Sequence, residues 1–93
     1  MPQNIQFEPF TTDIKVHPNP TTNELFIELT ETALNIDVEV YDILGNIVYT
    51  NNHKNTTDFK INSTIITNLG NGSYTLRLVV DGKSLSTNFI ICK

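Results

Sequence analysis

Apolar and polar residues alternate with a period of two along most of this chain. Ile14 and Val16 alternate with Lys15 and His17. Leu25, Ile27 and Leu29 share one face while Glu24, Glu28 and Thr30 share the other, with Phe26 the apolar exception on the wet side. Strict alternation of this kind marks strands buried on one face. Ile36, Val38 and Val40 continue it against Asp37, Glu39 and Tyr41, and Ile47-Val48-Tyr49 follow after Asp42-Ile43-Leu44-Gly45-Asn46. Gly45 takes φ > 0 without steric cost, which a tight reversal demands, so the pattern predicts a hairpin there. Residues 51–58 are polar and aperiodic and read as a loop, and Phe59 and Ile61 read as a short strand. Residues 62–72 then cross between sheets. Tyr74, Leu76, Leu78 and Val80 alternate with Thr75, Arg77 and Val79, Asp81-Gly82 is a strong two-residue hairpin signal, and residues 85–91 pair back.

The sum is about seven short strands at intervals of roughly ten residues, with no helical period longer than one turn. It predicts an all-β, immunoglobulin-like antiparallel β-sandwich. In such folds a Tyr near the start of the penultimate strand ties its hydroxyl to the preceding corner, and Tyr74 occupies that place after Leu69-Gly70-Asn71-Gly72. There is no Trp and only one Cys, so the disulfide-and-Trp core of an antibody domain is excluded. At 93 residues the chain has the length of one domain.

Composition narrows the partners. The formal net charge is −4, and the six basic residues, Lys15, Lys54, Lys60, Arg77, Lys83 and Lys93, are scattered. No basic stripe exists to neutralise phosphates, so no nucleic acid is expected as a partner. The longest apolar runs, such as Phe89-Ile90-Ile91-Cys92, fall far short of the roughly twenty residues of a membrane helix, and no membrane span is expected.

Candidate chemistry is sparse. His17 and His53 are the only imidazoles, one beside Pro18 and the other in the expected polar loop. A zinc site draws three or four ligands at short spacing, and none assembles here, so neither a metal nor any cofactor is expected. Asp37 and Glu39 lie two apart and read as the wet face of a strand rather than as the acid pair of a hydrolase. Asp42 beside the Gly45 turn reads as an acceptor for backbone N–H groups. Cys92 reads as a buried or half-buried strand residue without a cationic neighbour beyond Lys93 to activate its thiol. No nucleophile and base pair up, and no enzymatic activity is expected.

Val16-His17-Pro18-Asn19-Pro20 is more specific. Two prolines remove two backbone donors and press His17 and Asn19 towards extended dihedrals, which predicts a stiff, polyproline-like bend. One reading is a loop that stops edge pairing. The other is a recognition element whose shape is set before its partner arrives.

Four segments in order, residues 14–25 around Pro18-Asn19-Pro20, Val40-Tyr41-Asp42-Ile43-Leu44-Gly45-Asn46-Ile47-Val48, Leu69-Gly70-Asn71-Gly72-Ser73-Tyr74-Thr75-Leu76-Arg77-Leu78, and a hydrophobic strand ending in Lys93, carry a resemblance. Together they resemble the type A C-terminal sorting domain of the type IX (Por) secretion system of Bacteroidetes. The resemblance implies a non-catalytic signal at the end of a secreted cargo protein. Its partners would be the outer-membrane translocon, a sortase-like cysteine peptidase, and the upstream cargo domain in the same chain. The path would lead through the periplasm to the cell surface or the medium. Residues 1–13 would then be the linker from the cargo, residues 14–93 the sorting domain, and the scissile bond would fall in residues 4–14. By position Pro18, Asn19 and Pro20 match the family's proline motif, Gly45 its mid-domain glycine, Gly72 and Tyr74 its late Gly-x-Tyr motif, and Lys93 its basic ending. Family members often end in more than one basic residue, whereas Lys93 stands alone here. The last hairpin and the Pro18-Asn19-Pro20 bend would form the docking surface, with a free last-strand edge available for pairing. The competing reading is a fibronectin-like or carbohydrate-binding module, for which Tyr41, Tyr49 and Phe26 are the candidate stacking aromatics.

Overall fold

The computed structural model describes residues 14–93. Five strands form one antiparallel sheet: β1 (Ile14–His17), β2 (Leu25–Tyr41), β3 (Ile47–Ile61), β4 (Gly72–Val80) and β5 (Lys83–Ile91). A short helix, α1 (Ser63–Asn68), joins β3 to β4.

β2 organises the molecule because its two halves serve two layers. Its first half pairs with β1, Ile14 opposite Leu29 and His17 opposite Phe26, and with the end of β3, Leu25 opposite Ile61. Its second half pairs with β4, Ile36 opposite Val80 and Tyr41 opposite Thr75, and with the beginning of β3. Between the halves the β2–β3 register jumps from Glu28/Asp58 to Ala33/Thr56, so the β2 stretch 29–32 stands opposite Thr57 alone. A surplus on one strand bends it and increases the local twist. Thr32 and Thr57 join hydroxyls across this corner at 2.9 Å, and Asn55 beside it takes φ +52°. The sheet therefore curls into a sandwich-like form, β1 with the first half of β2 and the end of β3 on one side, the rest of β3 and β2 with β4 and β5 on the other.

The alternating residues fill the space between the layers. Leu25, Ile27 and Leu29 from one half of β2 join Ile36, Val38 and Val40 from the other, with Leu76, Leu78, Phe89 and Ile91, in one buried cluster. Each such side chain contributes about 1.5–3 kcal/mol by leaving water. Phe26 is partly exposed, in keeping with its place on the wet face.

The all-β antiparallel architecture agrees with the alternation, but the strand count does not. Five strands replace the seven expected because four of the predicted strands are halves of two long ones: residues 25–29 and 36–40 belong to β2, and residues 47–49 and 59–61 to β3. The expected loop at residues 51–58 is a continuous part of β3. Its side chains are mostly exposed, so it carries no burial periodicity, and it is extended because its backbone pairs with β2. His53 thus lies on a strand, opposite Ile36 and stacked on Phe59 with ring centroids 4.4 Å apart.

Two side chains set the remaining junctions. Asn62 caps α1, its Oδ1 accepting from the Ile65 amide at 3.3 Å, and Ile66 plugs the helix into the core. At the β4–β5 hairpin Asp81 takes φ +49°, and its carboxylate accepts from the Leu34 and Asn35 amides at 3.1 and 2.8 Å, fastening the turn to the middle of β2.

Candidate functional site

The antiparallel ladders bring the end of β2, the start of β4 and the end of β5 to one end of the sandwich, since Tyr41 faces Thr75 and Gly72 faces Ile91. The site residues expected from the sequence gather there, in four separately anchored groups.

The first is the Pro18-Asn19-Pro20 bend. Both X–Pro peptide bonds, His17–Pro18 and Asn19–Pro20, are cis, in place of the polyproline-like course expected. The bend delivers Asn19 and Thr21 to the outer edge of β5. Asn19 Oδ1 accepts from the Ile90 amide at 2.9 Å, the Thr21 amide donates to the Ile90 carbonyl at 2.9 Å, and the Cys92 amide donates to the Thr21 carbonyl at 2.9 Å. Thr21 is fully buried, and its hydroxyl donates to the Glu24 carbonyl. Two short parallel segments are thus laced together where the sequence predicted a free edge.

The second group is the corner before β4. Gly72 takes φ +149°, and Tyr74 donates its hydroxyl to the Gly70 carbonyl at 2.7 Å while its ring stacks on Phe89 at 5.7 Å. This is the tyrosine corner that the spacing predicts.

Lys93 is the third. Its amide donates to Asn71 Oδ1 at 3.0 Å, and its ammonium donates to the Thr67 carbonyl at 2.9 Å and to the Leu69 carbonyl. The carbonyls at the end of a helix lack partners within it and carry partial negative charge, so the ammonium of the last residue acts as a cap on α1. The residue itself stays exposed while its ammonium holds the end of α1.

The fourth is the Gly45 turn. Asp42 Oδ1 accepts from the Leu44 and Asn46 amides at 2.9 Å each, the Gly45 amide donates to the Asp42 carbonyl at 3.0 Å, and Gly45 takes φ +88°. The Asn46 backbone hydrogen bond, assisted by those of its neighbours, holds the Asp42 carboxyl below its ordinary pKa despite the opposing effect of desolvation. This is the backbone-accepting role expected of Asp42. The turn forms one wall of a cleft of about 680 Å³, with Ser73, Tyr74 and Thr75 of β4 and Asn88, Phe89 and Ile90 of β5 on the other sides.

Exposed apolar side chains lie near this end, and two of them, Ile43 and Ile90, line the cleft. Ile43 and Leu44 at the tip of the turn are 81% and 82% exposed, and Ile47 and Ile90 are about half exposed. No strand alternation buries them, and sequence reasoning passed over them as turn residues. The signal was available: two large apolar residues inside an otherwise polar turn have no folding task.

The remaining candidates lie elsewhere. His17 pairs with Glu28 at 2.7 Å on the outer face and stacks on Phe26. Asp37 and Glu39 lie on the wet face of β2, where Glu39 accepts from the Tyr41 hydroxyl at 2.7 Å and Arg77 at 2.9 Å, bonds that lower its pKa. Cys92 is exposed and lies past the end of β5, contrary to the buried strand position expected, because the ladder stops at Ile91 and the chain turns towards Thr21 and Asn71. Among the described residues, no three His, Cys, Asp or Glu side chains come close enough to hold a metal ion. No helix of the described chain is long and apolar enough to cross a membrane.

What this end of the molecule offers is shape and apolar surface, held by hydrogen bonds that join the Pro18-Asn19-Pro20 bend to the end of β5, in a small all-β domain. Comparison with protein families gives the class its particular form. The chain matches the secretion system C-terminal sorting domain over residues 15–92 and belongs to that family. It is a C-terminal secretion signal for type IX secretion, a non-catalytic kind of domain, and directs its bearer to the cell surface or outside the cell. None of the curated proteins matches it.

Proposed function

We propose that the outer-membrane translocon reads the end of the sandwich where the Gly45 turn, the Gly72/Tyr74 corner, the Pro18-Asn19-Pro20 bend and Lys93 meet. After transit through the periplasm, a sortase-like cysteine peptidase removes the domain by cutting within residues 4–14, and the cargo is attached to surface lipopolysaccharide or released. Most of that cleavage stretch lies outside the described residues.

The observation that carries this reading is the convergence itself. Gly45 and Tyr74 line one cleft together with the exposed Ile43 and Ile90, the Pro18-Asn19-Pro20 bend reaches it through the Asn19–Ile90 hydrogen bond, and Lys93 bonds Asn71 at the corner before β4. Contiguous exposed apolar surface on a small domain marks an interaction site. Lys93 supports the surface from behind, because its ammonium is engaged by α1. The alternative as a sugar-stacking module finds no platform: Phe26 lies on the outer face of one layer against His17, Tyr41 on the outer face of the other bonded to Glu39, and Tyr49 packs towards the core.

A cargo fusion carrying Ile43→Ser with Leu44→Ser tests the proposal in a type IX-competent bacterium. Both side chains are exposed, so the domain folds as before by circular dichroism, while the fusion accumulates in the periplasm. Normal surface display of the double variant would sink the assignment of this surface.

A further inference from the structure

We infer that Asn19 and Thr21 are positioning residues of the sorting signal, clasping the outer edge of β5 so that this end of the domain is read through its side chains and not by strand addition. The inference rests on the proposed reading of the site and specifies how the partner engages it. β5 ends the strand order, and among the described residues no strand pairs with its other edge along residues 84–89. An unpaired edge is a template for any incoming strand. At the signal-bearing end that template is closed: the Ile90 amide is taken by Asn19 Oδ1, the Ile90 carbonyl by the Thr21 amide, and the Cys92 amide by the Thr21 carbonyl.

The closure also orients what remains visible. Phe89 and Ile91 point into the core, and Ile90 between them points out beside the cleft formed with the Gly45 turn. With its backbone groups engaged, Ile90 presents a side chain alone. The contact spans 71 residues, so the first motif of the domain governs how the last one is displayed. The occupant that fits is a protein surface with an apolar side chain for the cleft and no requirement for a free strand.

The test compares cargo fusions carrying Asn19→Ala, Asn19→Asp and Ile27→Val in a type IX-competent bacterium, with urea unfolding of each purified chain. Asn19→Asp keeps an oxygen for the Ile90 amide, and Ile27→Val weakens the core without touching the clasp's hydrogen bonds. Asn19→Ala is expected to lower the exported fraction at least fivefold and to speed hydrogen exchange at the Ile90 and Cys92 amides, with Asn19→Asp and Ile27→Val within twofold of the parent. If Asn19→Ala fails to fold, Asn19→Ser, which retains a turn-capping hydroxyl too short to reach Ile90, takes its place with the same expectation. Export of Asn19→Ala at or above the parental level overturns the clasp and favours strand addition. So does an equal loss for Ile27→Val at matched urea midpoint, which reduces Asn19 to general stability. Failure of the parental fusion to leave the cell overturns the sorting reading itself, a result separable from the clasp because it precedes any variant.

Discussion

Asp42 shows how one side chain converts a turn into a fixed surface. Its carboxylate accepts two turn amides, which is what holds its pKa down, and the same bonds present Ile43 and Leu44 outward. A carboxyl whose pKa is lower folded than unfolded adds stability above its unfolded pKa and loses that contribution as pH falls through the folded value. The window therefore opens near the ordinary aspartate value of 3.8 and extends below it. Asp42→Asn keeps an oxygen for the amides and removes the charge. Urea midpoints of the two proteins are expected to differ at neutral pH, the parent being the more stable, and to draw together as pH falls below about 3.8. A difference that does not change with pH would show that charge has no part in the turn. Glu39 has its own lowered pKa, from Tyr41 and then Arg77, so the parent's remaining acid sensitivity persists in the Asp42 variant. His53 is a residue of another kind: its Nε2 is buried without a hydrogen-bond partner among the described residues, and its ring stacks on Phe59 while its backbone pairs with Ile36.

Among the elements, the β2–β3 hairpin does the most with the least sequence. Gly45 at its tip has φ +88°, and no atom lies within 4 Å of where a Cβ would stand. Space is therefore free and only backbone conformation opposes substitution. Gly45→Ala is expected to cost about 1–2 kcal/mol in urea unfolding, and Gly45→Asn less, since Asn tolerates positive φ. An Ala variant as stable as the parent would refute the backbone explanation. This hairpin also separates what was legible in the sequence from what was not. Leu25, Ile27, Leu29, Ile36, Val38 and Val40 announced themselves because burial on one face repeats every second residue. Residues 51–58 did not, because a strand with most of its side chains in water has no hydrophobic period to display. The joining of two predicted strands into β2 was hidden for a related reason: the surplus stretch 29–32 breaks the alternation where the chain turns the corner between layers. At the candidate site the corner tyrosine was legible as a local motif. The Asn19–Ile90 contact and the seat of Lys93 on α1 were not, since neither is implied by the spacing of residues along the chain.

At the scale of the whole molecule, the proposed removal of the domain would either leave it folded or destroy it, and the distribution of the core bears on which. Among the described residues, every side chain of the buried cluster comes from residues 25–91, β1 adds the half-buried Ile14 and Val16, and the clasp begins at Asn19. The described ladder of β1 and β2, the clasp and the core thus all lie downstream of a cut made before Ile14. The chain comprising residues 14–93 is expected to unfold cooperatively with a midpoint within about 5 °C of the longer chain, a shift equivalent to roughly 1 kcal/mol for a domain of this size. Removing residues 14–21 instead takes away β1, Asn19 and the fully buried Thr21, leaving the first half of β2 without its neighbour on one side. That chain is expected to melt far lower or not to fold. Calorimetry of the two truncations decides the matter: similar melting of both would mean that β1 and the clasp are dispensable to the fold, and a collapse of residues 14–93 would place essential packing upstream of Ile14. On the proposed reading, the expected result would mean that the domain stays folded after its removal. The order of events at the outer membrane, recognition before or after cleavage, would then be set by access to the scissile bond, because the surface itself is the same in both states.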